Sequence, residues 1–428
     1  MPASPSLLIV PARFKTGKLY TQIATTSAGL VLGSSGDFNV TRGTTATRFN
    51  SAGLIESVAS GVPRLDYYTS GGTAGCPALL VEPSAQNFVL NSDNSSTSWT
   101  LGAGTASGYV DVIGVSGNTI TATASGGIGS NVFLRRTLNT ALASGSTYTV
   151  SFLMRQTGAH TIGGYWIGIA GVGDIGGGFD VSGSFSSGAI YSAAGATNRI
   201  RRVERWGADV YRCSETFTLT ASGTLDRILM GPLGAVNNPA ITSSGNTMSF
   251  AAPQIELGSV PTTFIPATAS PVTRNAEVIN LTGSVSGCIG QTEGVLYIEC
   301  ESNNGLDDVI FINQLVSDSI VLTKNANNAY IGQIYYSSNP PISFTSASGV
   351  TGMVKIAIAY KSGDSTMYLN GSRVGTLNTT AITFGGALSR IGVSKSAFFA
   401  GAKPSRIRAI ATYTTRLTDT ELATLTTL

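Results

Sequence analysis

The sequence is poor in charge. Lys and Arg number 26 and Asp and Glu 23 among 428 residues, 11% in all, where a soluble domain ordinarily carries about 25%. Glu, Lys and Arg normally cover exposed helices, so few helices are expected and an all-β chain is the default. There is a single histidine, His160. Two-His zinc sites and facial triads need more than one, and a Ser-His-Asp relay would depend on this residue alone. No catalytic site, metal site or cofactor is therefore expected. The four cysteines, Cys76, Cys213, Cys288 and Cys300, show no C-x-x-C spacing and are too few for a disulfide framework in a chain of this length. They read as small buried apolar residues. Long hydrophobic runs are missing too. Leu7 to Val10 is too short for a signal-peptide core, and no window nears the ~18 apolar residues of a membrane span. Synthesis and folding in a cytoplasm are expected, with no membrane insertion. A net charge of +3 implies no acidic polymer, nucleic acid included, as partner.

What is present suits packed β-structure. Hydrophobic residues make up 42% of the chain, enough for cores despite 52 glycines. Residues 1–80, broken by Pro5, Pro11, Pro63 and Pro77 and by clustered glycines, read as a loop-rich region that needs a partner surface. From Ala78 onward short strands alternate with turn residues, as in a β-sandwich. Tyr148, Val150, Phe152 and Met154 share one face of a half-buried strand. Shorter strands are read at Tyr165 to Ile169, Phe217 to Thr220, Ile228 to Met230 and Met248 to Phe250. The passage Pro253 to Pro271 reads as a linker or edge segment. Strands resume at Gly294 to Glu301, where Leu296, Ile298 and Cys300 oppose Tyr297, Glu299 and Glu301, and at Val354 to Tyr360. Asn370-Gly371 predicts a tight hairpin, because a type I′ turn needs positive φ at both central residues. Thr418-Asp-Thr-Glu421 is a capping box, with Leu417 and Leu422 placed as a hydrophobic staple, so one short helix closes the chain.

Several motifs invite a chemical reading. Gly171-Val-Gly173-Asp-Ile-Gly176 matches G-x-G-x-x-G, but the glycine-rich residues after it cannot open the helix a dinucleotide needs; a sandwich loop is the better reading. Gly17-Lys18 lacks the remainder of a P-loop. Glu299 and Glu301 share a strand face roughly 7 Å apart, and retaining glycosidases hold two carboxyls at about 5 Å. The third acid found in some sandwich glycosidases is absent, which leaves a solvated strand face as the plainer account. Arg199, Arg201, Arg202 and Arg205 lack a wider basic field, so a polar strand edge or subunit contact is preferred to a nucleic-acid site. Asp307 and Asp308 with Asn303 and Asn304 are compatible with calcium or with an ordinary Asn/Asp turn. Trp166, Trp206 and Tyr211, with Trp99 and Tyr165, are large aromatics of the middle unit. Exposed, they would offer flat platforms to sugar rings; buried, they are core.

Phe38-Asn-Val-Thr-Arg-Gly through Arg48-Phe-Asn to Val58, then Pro63-Arg-Leu-Asp-Tyr67, Cys76-Pro-Ala-Leu-Leu-Val-Glu-Pro83, Asn87 and Trp99, resemble the opening of virion appendage proteins of tailed bacteriophages. Trp206 to Cys213, and Pro253-Gln-Ile-Glu-Leu-Gly258 through Phe264-Ile-Pro266 to Asn275, resemble the end of the jelly roll that follows in that family, a domain similar to carbohydrate-binding modules. Gly294 to Glu301, the hairpin at Tyr368-Leu-Asn-Gly371, Ile407 to Tyr413 and Arg416 to Leu422 resemble concanavalin A-like (laminin-G-like) domains.

The resemblance implies an all-β chain. Its parts are an N-terminal virion attachment region at 1–80, a jelly-roll, carbohydrate-binding-like domain at 81–275 and a concanavalin A-like sandwich at 276–428. It implies a structural virion protein, made in the host cytoplasm and carried on the particle as a fibre, tail or head appendage. The implied partners are other virion proteins, bacterial surface polysaccharide and further copies of itself. The glycan-binding candidates are Trp166, Trp206 and Tyr211. A purely architectural or decorating role and a polysaccharide depolymerase using Glu299 and Glu301 are the alternatives.

Overall fold

Period-2 alternation governs the chain, and the described residues are built almost wholly from antiparallel strands. A computed structural model of the protein describes residues 4–428 except 22, 25–36, 69–74, 93–97, 129–131, 184, 193–194, 242–243, 283–284, 303–306, 314–317, 326, 338 and 394–404. In Glu293–Ser302, Leu296, Ile298 and Cys300 enter one core while Val295 and Tyr297 enter another on the opposite face. The expected hairpin joins Thr366–Leu369 to Ser372–Arg373, with φ of 47° at Asn370 and 82° at Gly371. The closing helix, Asp419–Thr426, carries the full capping box between Thr418 and Glu421. Leu417 and Leu422 join the core that this helix covers.

The middle unit is a sandwich of two six-stranded sheets. The front sheet runs in the order Thr100–Leu101, Leu134–Leu142, Gly223–Pro232, Ile162–Ala170, Gly173–Asp180, Ser187–Ser192. The back sheet runs Thr105–Val112, Val115–Ala122, Thr247–Leu257, Thr147–Gln156, Val210–Leu219, Ala196–Arg205. Between them lie Val150, Phe152, Met154, Tyr165, Ile167, Phe179, Cys213, Phe217 and Phe250. The chain enters and leaves this sandwich side by side, through Ala85–Asn87 paired antiparallel with Val272–Arg274.

Two readings of the sequence are corrected here. Residues 1–80 do not stand apart from the rest of the chain. Leu7–Ile9 pairs with Ser405–Tyr413, Phe38–Thr41 with Val278–Thr282, and Leu65–Asp66 with Ala78–Val81, which itself joins Ser405–Tyr413. Leu7, Ile9, Phe38, Val40 and Leu65 share one core with Leu296, Ile298, Ile356 and Ile358. Each of these runs is too short to fold by itself, and the surface it needs is the C-terminal sandwich of the same chain.

The passage Pro253 to Pro271 is not a linker. Pro253 lies within the central strand Thr247–Leu257, where the pairing shifts register between Ser151 and Leu153 and Ala252 has φ of 50°. A bulge is the place in a central strand that tolerates a proline's missing N–H. Val260 to Ile265 are then buried, and Gly258 and Ser259 accept from Thr149 and Thr216 of the back sheet. That cover is why Thr147–Gln156 is buried on both faces rather than half-buried.

Candidate functional site

The three aromatic candidates are not brought together. Trp206 is 5% exposed and Tyr211 8%. Trp206 packs edge-on against Phe49 at 5.0 Å, beside Tyr68 at 5.7 Å, with the Arg212 guanidinium 4.7 Å from its ring. Tyr211 belongs to the sandwich core, and Phe185 lies 5.8 Å from it. Their role is packing. Trp166 lies elsewhere, half-buried on the outer face of the front sheet.

Around Trp166 the strands carry glycines, and the room their missing side chains leave is filled by other groups: Leu233 and Val236 over Gly164 and Gly178, Tyr191 over Gly176, and Arg227 with Asp226 over Gly168. In Ile162–Ala170, Tyr165, Ile167 and Ile169 face the core, which leaves Gly164, Trp166 and Gly168 on the outer face. The next strand, Gly173–Asp180, adds Asp174, Gly176 and Gly178 to the same face. On the other side, the pairing with Gly223–Pro232 shifts register at Gly168 and Ile169, so Asp226 falls in a bulge beside Arg227. A Cβ on Gly168 would lie 2.5 Å from both Arg227 Cζ and Asp226 Oδ1. The ion pair therefore rests on the glycine backbone. Arg227 donates through Nη1 to Asp226 at 2.8 and 2.9 Å and through Nη2 to Asp174 at 3.0 Å, while its Cζ stands 5.0 Å from the Trp166 ring. Tyr191, across from Gly176, lies 4.9 Å from Trp166 with 32° between the rings. Burial, then the charge of Asp174, push the Tyr191 hydroxyl pKa up, so it remains a donor.

This row of Tyr191, Trp166 and Arg227, flanked by two carboxylates whose side chains are 37% and 39% exposed, can receive the C–H face of a sugar ring and bond its hydroxyls. The sequence pointed to Trp166 and missed Tyr191, Arg227, Asp174 and Asp226. The available signal was the concentration of glycine in two adjoining strands, Gly163, Gly164 and Gly168 in one and Gly173, Gly176, Gly177 and Gly178 in the next, which leaves few side chains beside Trp166.

The remaining motifs resolve into structure. Gly171 and Gly173, with φ of 88° and 119°, sit in and beside the hairpin turn between two front-sheet strands. Arg199 and Arg201 leave the edge strand Ala196–Arg205 to pair with Glu215, a wholly buried carboxylate that also accepts from Tyr165 at 2.9 Å. Glu299 and Glu301 are half-buried on Glu293–Ser302, in register with Lys355 and Met353 on one side and Ala409 and Arg406 on the other. Asn303, Asn304 and the side chains of Asp307 and Asp308 lie outside the described residues. Among the described residues no group of three or more His, Cys, Asp or Glu could hold a metal ion.

Several residues that carry the virion resemblance meet, together with Glu277 and Arg406, in a buried junction between the two sandwiches. Arg64 joins Glu82 and Glu277, each at 2.7 Å; Arg42 reaches Glu277 at 3.0 Å and Arg274 reaches Glu82 at 2.8 Å. Thr263 donates its N–H and hydroxyl to Glu82 at 2.8 and 2.6 Å. Asp66 holds Arg406 and accepts from the Phe49 N–H, both at 2.7 Å, and Asn87 donates to the Ile265 carbonyl at 2.9 Å. Burial pushes the Glu82 carboxyl pKa up, but Arg274, Arg64 and Thr263 outweigh it and bring it down to about 2.

No family description matches the sequence, and no curated protein is similar to it. Among solved structures, similarity is found to the CBM40 of the Ruminococcus gnavus IT-sialidase (14% identity, 33% of this chain and 87% of that one, TM-score 0.28). Domains LG4-5 of the mouse laminin alpha1 chain match at 10% identity, 64% of this chain and 84% of that one, TM-score 0.22. Trypanosoma rangeli sialidase in complex with sialic acid matches at 8% identity, 98% of this chain and 61% of that one, TM-score 0.27. At such scores these likenesses carry no argument about function. They lend no support to the virion resemblance, which rests on the sequence motifs alone.

Proposed function

We propose that this chain is a non-enzymatic structural protein of a tailed-bacteriophage virion, a fibre, tail or head appendage, that helps attach the particle to host-surface glycan through the outer face of its front sheet. The observation that carries the glycan reading is the Trp166–Tyr191 pair with Arg227 and its two carboxylates, held on a backbone where Gly168 leaves no room for a side chain. Trp206 and Tyr211 take no part in it, because both are buried. The virion assignment is supported by the motif resemblance and by the low charge of the chain. On a particle the protein would sit beside other virion proteins in several copies, and avidity of this kind raises overall affinity about 10²- to 10⁴-fold over a single weak site.

The test uses fluorescently labelled protein on intact cells of the host and on a polysaccharide-deficient mutant. Binding to the first, loss on the second, and loss on both for a Trp166→Ala, Tyr191→Ala double variant with an unchanged unfolding transition are expected. Equal binding of the double variant and the wild type removes the front-sheet site. Failure of the wild type to bind either strain moves the protein to a purely architectural role.

A further inference from the structure

The back sheet ends on an unusual edge. Thr105–Val112 pairs with Val115–Ala122 along its full length of 8 residues with no register shift, and among the described residues no strand pairs with its other side. Among the described residues, the other outer strands of the six- and nine-stranded sheets carry the features that keep edges from pairing: shortness, bulges or charge. Thr100–Leu101, Ile23–Ala24, Phe14–Lys15, Leu65–Asp66 and Ser372–Arg373 have 2 residues each, and Ile342–Thr345 has 4. Ser187–Ser192 breaks register against its neighbour. Ala196–Arg205 is bulged and bears Arg199, Arg201, Arg202 and Arg205. Thr105–Val112 has no Lys, Arg or Pro, and a single acid, Asp111, near its end. Ala106 to Tyr109 are exposed, Tyr109 by 70%, and a Cβ on Gly108 would meet nothing within 4 Å.

We propose that this edge is the contact between two copies of the chain, pairing antiparallel with itself about Gly108 and joining two six-stranded sheets into one. The strand is self-complementary in this register. Ala106 stands opposite Val110 of the second copy and Ser107 opposite Tyr109; Thr105 and Asp111, at the two ends, are already engaged within the chain, Thr105 by the Gly102 carbonyl and the Phe133 N–H and Asp111 by Arg155 and the Gly114 N–H, so the contact is made by the uncharged run from Ala106 to Val110. The two Tyr109 rings become diagonal neighbours, a separation that aromatic side chains bridge. A strand whose one charge, Asp111, stands near its end offers little to steer a charged partner, whereas a two-fold contact needs only that one patch match itself. This edge is separate from the glycan-binding face, since Trp166 lies on the other sheet.

Sedimentation of the full chain over a concentration series is expected to show a monomer–dimer equilibrium that Tyr109→Lys weakens at least tenfold, by placing like charges on the diagonal, while leaving the unfolding transition and the glycan binding of each monomer unchanged. Opposed residues on paired strands hold their Cβ atoms about 4.5–5.5 Å apart, close enough for a disulfide after small adjustment. Gly108→Cys, in a Cys76→Ser background because Cys76 is exposed, is therefore expected to give a covalent dimer under mild oxidation. A wild type that stays monomeric at every concentration overturns the proposal. So does a dimer that ignores Tyr109→Lys and leaves Gly108→Cys uncrosslinked.

Discussion

Arg64 is wholly buried, yet it spans both carboxylates of the junction and also donates to the Thr47 carbonyl at 3.0 Å. Removing one partner of a buried pair leaves the other charge unpaired, so Arg64→Ala is expected to cost about 3–5 kcal/mol in urea unfolding. The same network sets an acid limit. Glu82 ionises at about 2 when folded, against 4.5 ordinarily, so the unfolded chain takes up the proton first as pH falls. Its contribution, about 3 kcal/mol, is complete above pH 4.5 and lost by about pH 2. Glu256 opposes it: burial pushes its pKa up despite the hydrogen bonds from Thr262 and Gln254 and the nearby charge of Arg212, so its contribution is present at low pH and fades as pH rises past 4.5. Urea midpoints measured from pH 2 to 7 should therefore rise and then level or fall, and Glu82→Gln should flatten the acid side. Arg64, Glu82 and Glu256 were each visible in the sequence as part of a motif, and Glu277 was not. That they meet was not visible either, because Arg64 and Glu277 are separated by 213 positions.

Elements fixed by neighbouring residues were legible. The Asn370-Gly371 hairpin and the capped helix each depend on fewer than ten consecutive positions, and both form as read. Thr418→Ala is expected to cost about 1 kcal/mol, seen as a lower melting temperature with the sheets intact. The passage after Pro253 was misread because a bulge and a covering segment are decided by the strand beneath, not by local composition. The front-sheet site was half legible for the same reason: Trp166 draws notice, but its neighbours come from three strands and depend on a register shift. Gly168→Ala must displace Arg227 and Asp226 from their seat, so glycan affinity should fall with only a small loss of stability; binding isotherms alongside thermal melts would separate the two.

At the scale of the whole molecule, the C-terminal sandwich is assembled from both ends of the sequence, with the middle sandwich inserted between them. Residues 85–274 hold a core of their own and are expected to unfold cooperatively when expressed alone. Residues 276–428 lack Leu7, Ile9, Phe38 and Val40 from their core and should aggregate or resist folding in isolation, whereas co-expression with residues 1–84 should restore soluble protein. This organisation was hidden from a linear reading, which places boundaries where composition changes and has no means to see a strand near position 7 lying beside one near position 412. The pairing also has a mechanical meaning. Leu7 lies against Thr412 with the two strands antiparallel, so tension applied beyond those positions peels their hydrogen bonds one at a time instead of shearing them together. The strands Ala85–Asn87 and Val272–Arg274 present the same geometry at the base of the insert. A pull on the ends is spent first on the C-terminal sandwich, and the glycine-floored face with Trp166 stays out of the path of the force.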